Sequence, residues 1–143
     1  MKKYFLLIFT VLSLISPVSQ AQTTNECVLT FTHDYFNWYR NETTIGSDTF
    51  EEWVKEEIAI AKGLLILLKN TNKEGCPEHN LNQINHMYRT TVSRLKNLNQ
   101  LTNNINSGKV VNMPPEFVEA TMNYHGYHSE LIKSLMYETG VPW

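Results

Sequence analysis

Five histidines, His33, His79, His86, His125 and His128, are the residues of this 143-residue chain best suited to chemistry, as metal or haem ligands or as proton carriers. Their spacing argues against most combinations. His79 and His86 lie two helical turns apart, about 10 Å along the axis, which is too far to share one ion. His33 and His86 fall opposite the apolar seams of their segments. Only His125 and His128, three positions apart, can meet on one helix face, so a metal- or haem-binding bundle using that pair is the alternative reading of the chain. The di-metal bundle pattern also requires Glu-x-x-His pairs on two helices, and covalent haem requires Cys-x-x-Cys-His; neither motif occurs. The expected fate of His128 is burial with a neighbour satisfying it, with Met122 and Met136 as adaptable core filler, and no metal or cofactor is assigned.

The other candidate groups are four carboxylates, Glu51, Glu52, Glu56 and Glu57, crowded at the start of one apolar segment. Two of them within reach of each other would make an acid and base pair. Acidic residues in a first helical turn are also what the helix dipole favours, and that reading carries further here. Antiparallel pairing with the following helix places Glu52 level with Arg94 and Glu57 level with Arg89. No serine lies in a Gly-x-Ser-x-Gly elbow, no phosphate-binding glycine loop is present, and both cysteines are assigned to a bridge. The chain reads as a non-enzyme.

A binding role has more support. Tyr35, Phe36, Trp38 and Tyr39 cover more than one face of a helix, and Phe36 points about 100° from the seam. Aromatic side chains in excess of what a core needs are enriched at interfaces, so Phe36 and Tyr39 are the candidate interface residues.

The elements that position these groups are helices. Phe50 to Leu68, FEEWVKEEIAIAKGLLILL, carries apolar side chains at Phe50, Trp53, Val54, Ile58, Ala61, Leu64, Leu65 and Leu68, with Ile60, Ile66 and Leu67 widening the stripe. Its uninterrupted apolar part is far shorter than the roughly 20 residues that span a bilayer, so it reads as a core helix with neighbours on several sides. A first helix from Thr24 to about Asn41 follows Val28, Phe31, Tyr35 and Trp38. A third, from Pro77, follows Leu81, Ile84, Tyr88, Thr91, Leu95, Leu98, Thr102 and Ile105, and ends at Asn106-Ser107-Gly108. A fourth, from Pro114-Pro115, follows Phe117, Thr121, Tyr124, His128, Leu131 and Leu135, with Gly140 and Pro142 as its stop. Capping-box spacing at Thr23 with Glu26 and at Thr49 with Glu52 marks two starts. The fold class expected is all-α, a single-domain up-down-up-down four-helix bundle over 22–143 with one disulfide.

Residues 1–21 read as a secretory signal peptide: Lys2 and Lys3, an apolar run from Tyr4 to Ile15, and small residues flanking a cut after Ala21. With Lys2 and Lys3 gone, ten basic residues face 14 acidic ones, so the mature chain is acidic and offers nothing to nucleic acid. In an oxidising compartment, Cys27 and Cys76 pair, and in the expected topology both sit at one end of the bundle. Asn41-Glu42-Thr43 matches a glycosylation sequon. The resulting expectation is an exported protein, periplasmic or secreted, with no membrane insertion after the leader is removed. It would act on another macromolecule as an inhibitor, immunity or chaperone-like protein.

Overall fold

The computed structural model describes residues 26–40 and 48–139. The expected leader, the sequon at Asn41 and the tail residues Gly140, Pro142 and Trp143 lie outside them. Four helices account for most of the described chain, which has no strand: α1, helical throughout 26–40, then α2 (Phe50–Asn70), α3 (Glu78–Asn106) and α4 (Pro115–Thr139). Local chemistry sets their ends. Thr49 has extended backbone, and its hydroxyl accepts the Glu52 N–H at 3.2 Å, satisfying a donor that the first turn leaves open. At the other end of α2 the Thr71 N–H donates to the Leu67 carbonyl at 2.8 Å. Gly108, at φ 73°, supplies the left-handed turn past the end of α3 that a side chain would resist.

Two apolar cores stack along the bundle. One gathers Val28, Phe31 and Tyr35 of α1, Leu64 and Leu68 from the end of α2, Ile84 and Met87 from the start of α3, and Ile132, Leu135 and Met136 from the end of α4. The other gathers Val54 from the start of α2, Leu98 from the later part of α3 and Phe117 from the start of α4, with Phe50, Trp53 and Ile105 packed against them. Starts meeting ends in the first core fix the alternating up and down order. Each fully buried large side chain contributes about 1.5–3 kcal/mol. The described part of α1 joins only the first core. Cys27 and Cys76 are bridged beside it, with Cα atoms 5.4 Å apart.

Three expectations need correction. The seam of α3 runs through Asn80, Ile84, Met87, Thr91, Arg94 and Leu98, so Tyr88 is exposed and Leu95 only half-buried. The expected seam included Thr91 but passed over Asn80, Met87 and Arg94, and the real one carries polar side chains at three positions. Next, Ile66, expected to widen the buried stripe of α2, is 62% exposed. Met122, expected as filler, is 69% exposed, while Met136 is buried as expected.

Trp38 of α1 lies against Gly63 of α2. A Cβ at position 63 would stand 2.7 Å from the indole Nε1, so this glycine is what lets the ring approach the backbone.

Candidate functional site

Polar side chains form a layer between the two cores. Glu57 stands on the buried stripe of α2, between Val54 and Ala61, and is only 5% exposed. A lone carboxylate there would be costly, so its partners decide what the layer is. Arg94 of α3 brings Nη2 to 3.5 Å of Oε2, His125 of α4 places Nε2 at 2.9 Å of Oε2 and 3.1 Å of Oε1, and the Trp53 indole also donates to the carboxylate. Burial by itself pushes the Glu57 carboxyl upward and is the largest single effect. The hydrogen bond and charge of His125, the charge of Arg94 and the Trp53 bond together outweigh it, and the net direction is below the usual range. Glu57 is ionised.

Arg94 is buried as well, and it is held by more than charge. Its guanidinium donates to the Thr121 hydroxyl and lies over the rings of Phe117 and Tyr124, 5.5 and 5.6 Å from their centroids. Burial draws its pKa down against the pull of Glu57, but an arginine begins so high that it stays protonated. The Thr121 hydroxyl in turn donates a hydrogen bond to the Phe117 carbonyl, and the Tyr124 hydroxyl meets that of Thr91 at 2.9 Å. Burial pushes the Tyr124 phenol up to about 12, so it stays neutral.

The register expected between α2 and α3 is therefore displaced. Arg94, not Arg89, reaches Glu57; Arg89 and Glu52 are both exposed. The displacement is five residues on α3, about 7.5 Å of helix rise. Position 94 continues the buried series 84, 87, 91, and position 89 points to the opposite side.

The two histidines of the alternative reading serve different neighbours. His125 engages Glu57, while His128, 3% exposed, places Nε2 at 3.0 Å of the Thr90 hydroxyl. Burial, then the proximity of His125 and His86, pulls the His128 pKa down to about 4, so it is neutral at pH 7. Among the described residues no group of three or more His, Cys, Asp or Glu side chains could hold a metal ion.

Beside the polar layer opens a cleft of about 480 Å³ between α1, α2 and α4. Tyr35, Phe36, Tyr39 and Trp53 supply aromatic walls, Ile60 and Ile132 aliphatic ones, and Glu56, Glu57, Thr121, His125 and Ser129 the polar positions. Of the two candidate interface residues, Tyr39 is 46% exposed, whereas Phe36 is half-buried against the first core, edge-on to Tyr35 at 5.9 Å. Both line the cleft. Phe36 is not the exposed side chain its angle from the seam implied, because its ring packs against the first core.

Fold and site together define a disulfide-stapled helical bundle with a lateral aromatic cleft backed by a buried ion pair. Compared with protein-family models, with curated proteins and with solved structures, the chain matches none of them.

Proposed function

We propose that the protein is exported and acts by binding another macromolecule, as an inhibitor, immunity or chaperone-like protein does, with the cleft between α1, α2 and α4 as its docking point. The cleft carries this reading. Its volume falls in the range of about 300–1,000 Å³ typical of ligand sites, its walls are mainly aromatic and aliphatic, and a few polar groups converge on one side. Tyr39 at its edge has the exposure and the residue type of an interface anchor. Export is supported by the leader-like first 21 residues and by the Cys27–Cys76 bridge; among the described residues no helix is long and apolar enough to cross a membrane.

The test is a photo-cross-linking amino acid placed at Tyr39 in the native host, with Val111, 83% exposed and away from the cleft, as control position. A discrete adduct from position 39, absent from position 111 and abolished by the cleft-filling Ser129→Trp, is the expected result. Equal labelling from both positions, or an adduct indifferent to Ser129→Trp, would overturn the reading.

A further inference from the structure

The charged groups that line the cleft are already engaged. Arg94, His125 and the Trp53 indole hold Glu57, so that carboxylate has its counter-charge inside the bundle. His125 turns Nε2 to the same carboxylate, Thr121 accepts from Arg94 and donates to the Phe117 carbonyl, and Glu56 has an interaction of its own. What the cleft offers an occupant is ring and aliphatic surface, from Tyr35, Phe36, Tyr39, Trp53, Ile60 and Ile132, with the Ser129 hydroxyl as a neutral group outside the Glu57 network. Rings in this fold meet edge to face. Phe50 and Trp53 both do so on Phe117, with centroids 5.4 and 5.0 Å away, and Phe36 does so on Tyr35 at 5.9 Å.

On this basis, and resting on the docking role proposed above, we infer that the cleft receives an uncharged aromatic side chain of a protein partner, a tyrosine or tryptophan. Its ring packs edge to face among Phe36, Tyr39 and Trp53, and its hydroxyl or indole N–H bonds to Ser129. Edge-to-face packing sets the positive edge of one ring against the negative face of another, an attraction that a saturated side chain lacks. A charged group would leave water for a cleft whose carboxylates and imidazole are engaged elsewhere, so nothing there would offset its desolvation. Tyrosine and tryptophan are also the uncharged side chains most often found as anchors at the centre of an interface.

The experiment titrates purified protein with N-acetyl-tyrosine amide and, separately, with the leucine, arginine and glutamate analogues of that probe, following the Trp53 indole N–H by NMR. The expected result is saturable movement of Trp53 with the tyrosine probe, about tenfold weaker binding of the other three, and loss of the tyrosine response in the cleft-filling Ser129→Trp. Tyr39→Ala, which removes one exposed ring, should weaken the tyrosine probe about fivefold and keeps the test sound if Ser129→Trp disturbs α4. Binding of the leucine probe or of either charged probe as tight as that of tyrosine, a tyrosine response unchanged in both variants, or no movement of Trp53 with any probe would each overturn the inference. The docking role is read separately, by cross-linking from position 39, so an adduct there together with equal probe binding rejects the aromatic side chain alone.

Discussion

Removing one member of the Glu57–Arg94 pair should be far more damaging than removing any exposed charge. Arg94→Met takes the guanidinium from a carboxylate that is 5% exposed, leaving Glu57 with His125 and Trp53 but no permanent cation. Glu57→Gln leaves Arg94, 8% exposed, with only the Thr121 hydroxyl and two ring faces. Breaking a buried pair from one side typically costs about 3–5 kcal/mol, against a total stability of about 5–15 kcal/mol for a domain. For a chain of this size that is a fall in melting temperature of roughly 10–20 °C. Arg89→Ala, at an exposed position, should stay within about 0.5 kcal/mol of the parent. Urea unfolding followed by circular dichroism measures all of these, with an unchanged slope showing that the transition itself is the same. The double variant should be less destabilised than the two singles added together. Additive singles, or an Arg89→Ala as costly as Arg94→Met, would refute the pairing and restore the register centred on Arg89.

Three further outcomes follow from particular contacts. The neutral form of His128 is favoured in the fold, with a pKa of about 4 against the ordinary 6.5, so the unfolded chain binds more protons between those values. Stability is therefore fully present above pH 6.5 and falls as pH drops toward 4, by about 3 kcal/mol from this group, and His128→Gln should flatten that part of the pH profile. The depressed pKa of Glu57 gives a separate loss only at lower pH, as its carboxylate protonates. Gly63→Ala should destabilise despite alanine's better helix propensity, because its Cβ would meet the Trp38 indole nitrogen; overpacking of this kind costs about 1–3 kcal/mol, and Trp38→Phe should recover part of it in a thermal melt. Replacing both Cys27 and Cys76 by serine opens a loop of 49 residues, and the chain-entropy relation gives about 4 kcal/mol for that length, read as a lower urea midpoint with helical content retained.

The fold was legible because three- and four-residue spacing of apolar side chains is strong in every helix, and because the end-to-end order of a bundle puts Cys27 beside Cys76. Glu57 was legible too, since it stands on the stripe between Val54 and Ala61. Its partner was not. On α3 the seam carries Asn80, Thr91 and Arg94, and stepping by four from Ile84 to Tyr88 and from Thr91 to Leu95 passes one residue beyond the buried Met87 and Arg94. Continuing the spacing Ile84, Met87, Thr91 one step further reaches Arg94, which was the available signal. The Glu57–His125 contact had none, because it joins residues 68 apart in sequence through the relative placement of α2 and α4. The cleft is likewise a product of how three helices diverge, and no periodicity within one helix encodes it.

The position of the polar layer, between two apolar cores that would tolerate sliding, suggests what it contributes beyond stability. Apolar seams are forgiving: shifting α3 by one turn, about 5.4 Å, would still bury leucine and isoleucine against α2. The same shift would carry Arg94 away from Glu57 and leave two buried charges unmatched, at a cost of several kcal/mol, so the layer selects one register among near-equivalents. His125 ties that choice to the cleft, since it binds the Glu57 carboxylate and also forms part of the cleft wall. Replacing the pair by apolar residues of similar length, Glu57→Leu with Arg94→Met, should therefore leave the urea midpoint close to that of the parent while weakening selection of the register. The expected signs are broadened amide resonances in α3 and faster amide exchange there. A double variant with sharp spectra and parent-like exchange would show that apolar packing alone sets the register and that the charges do not.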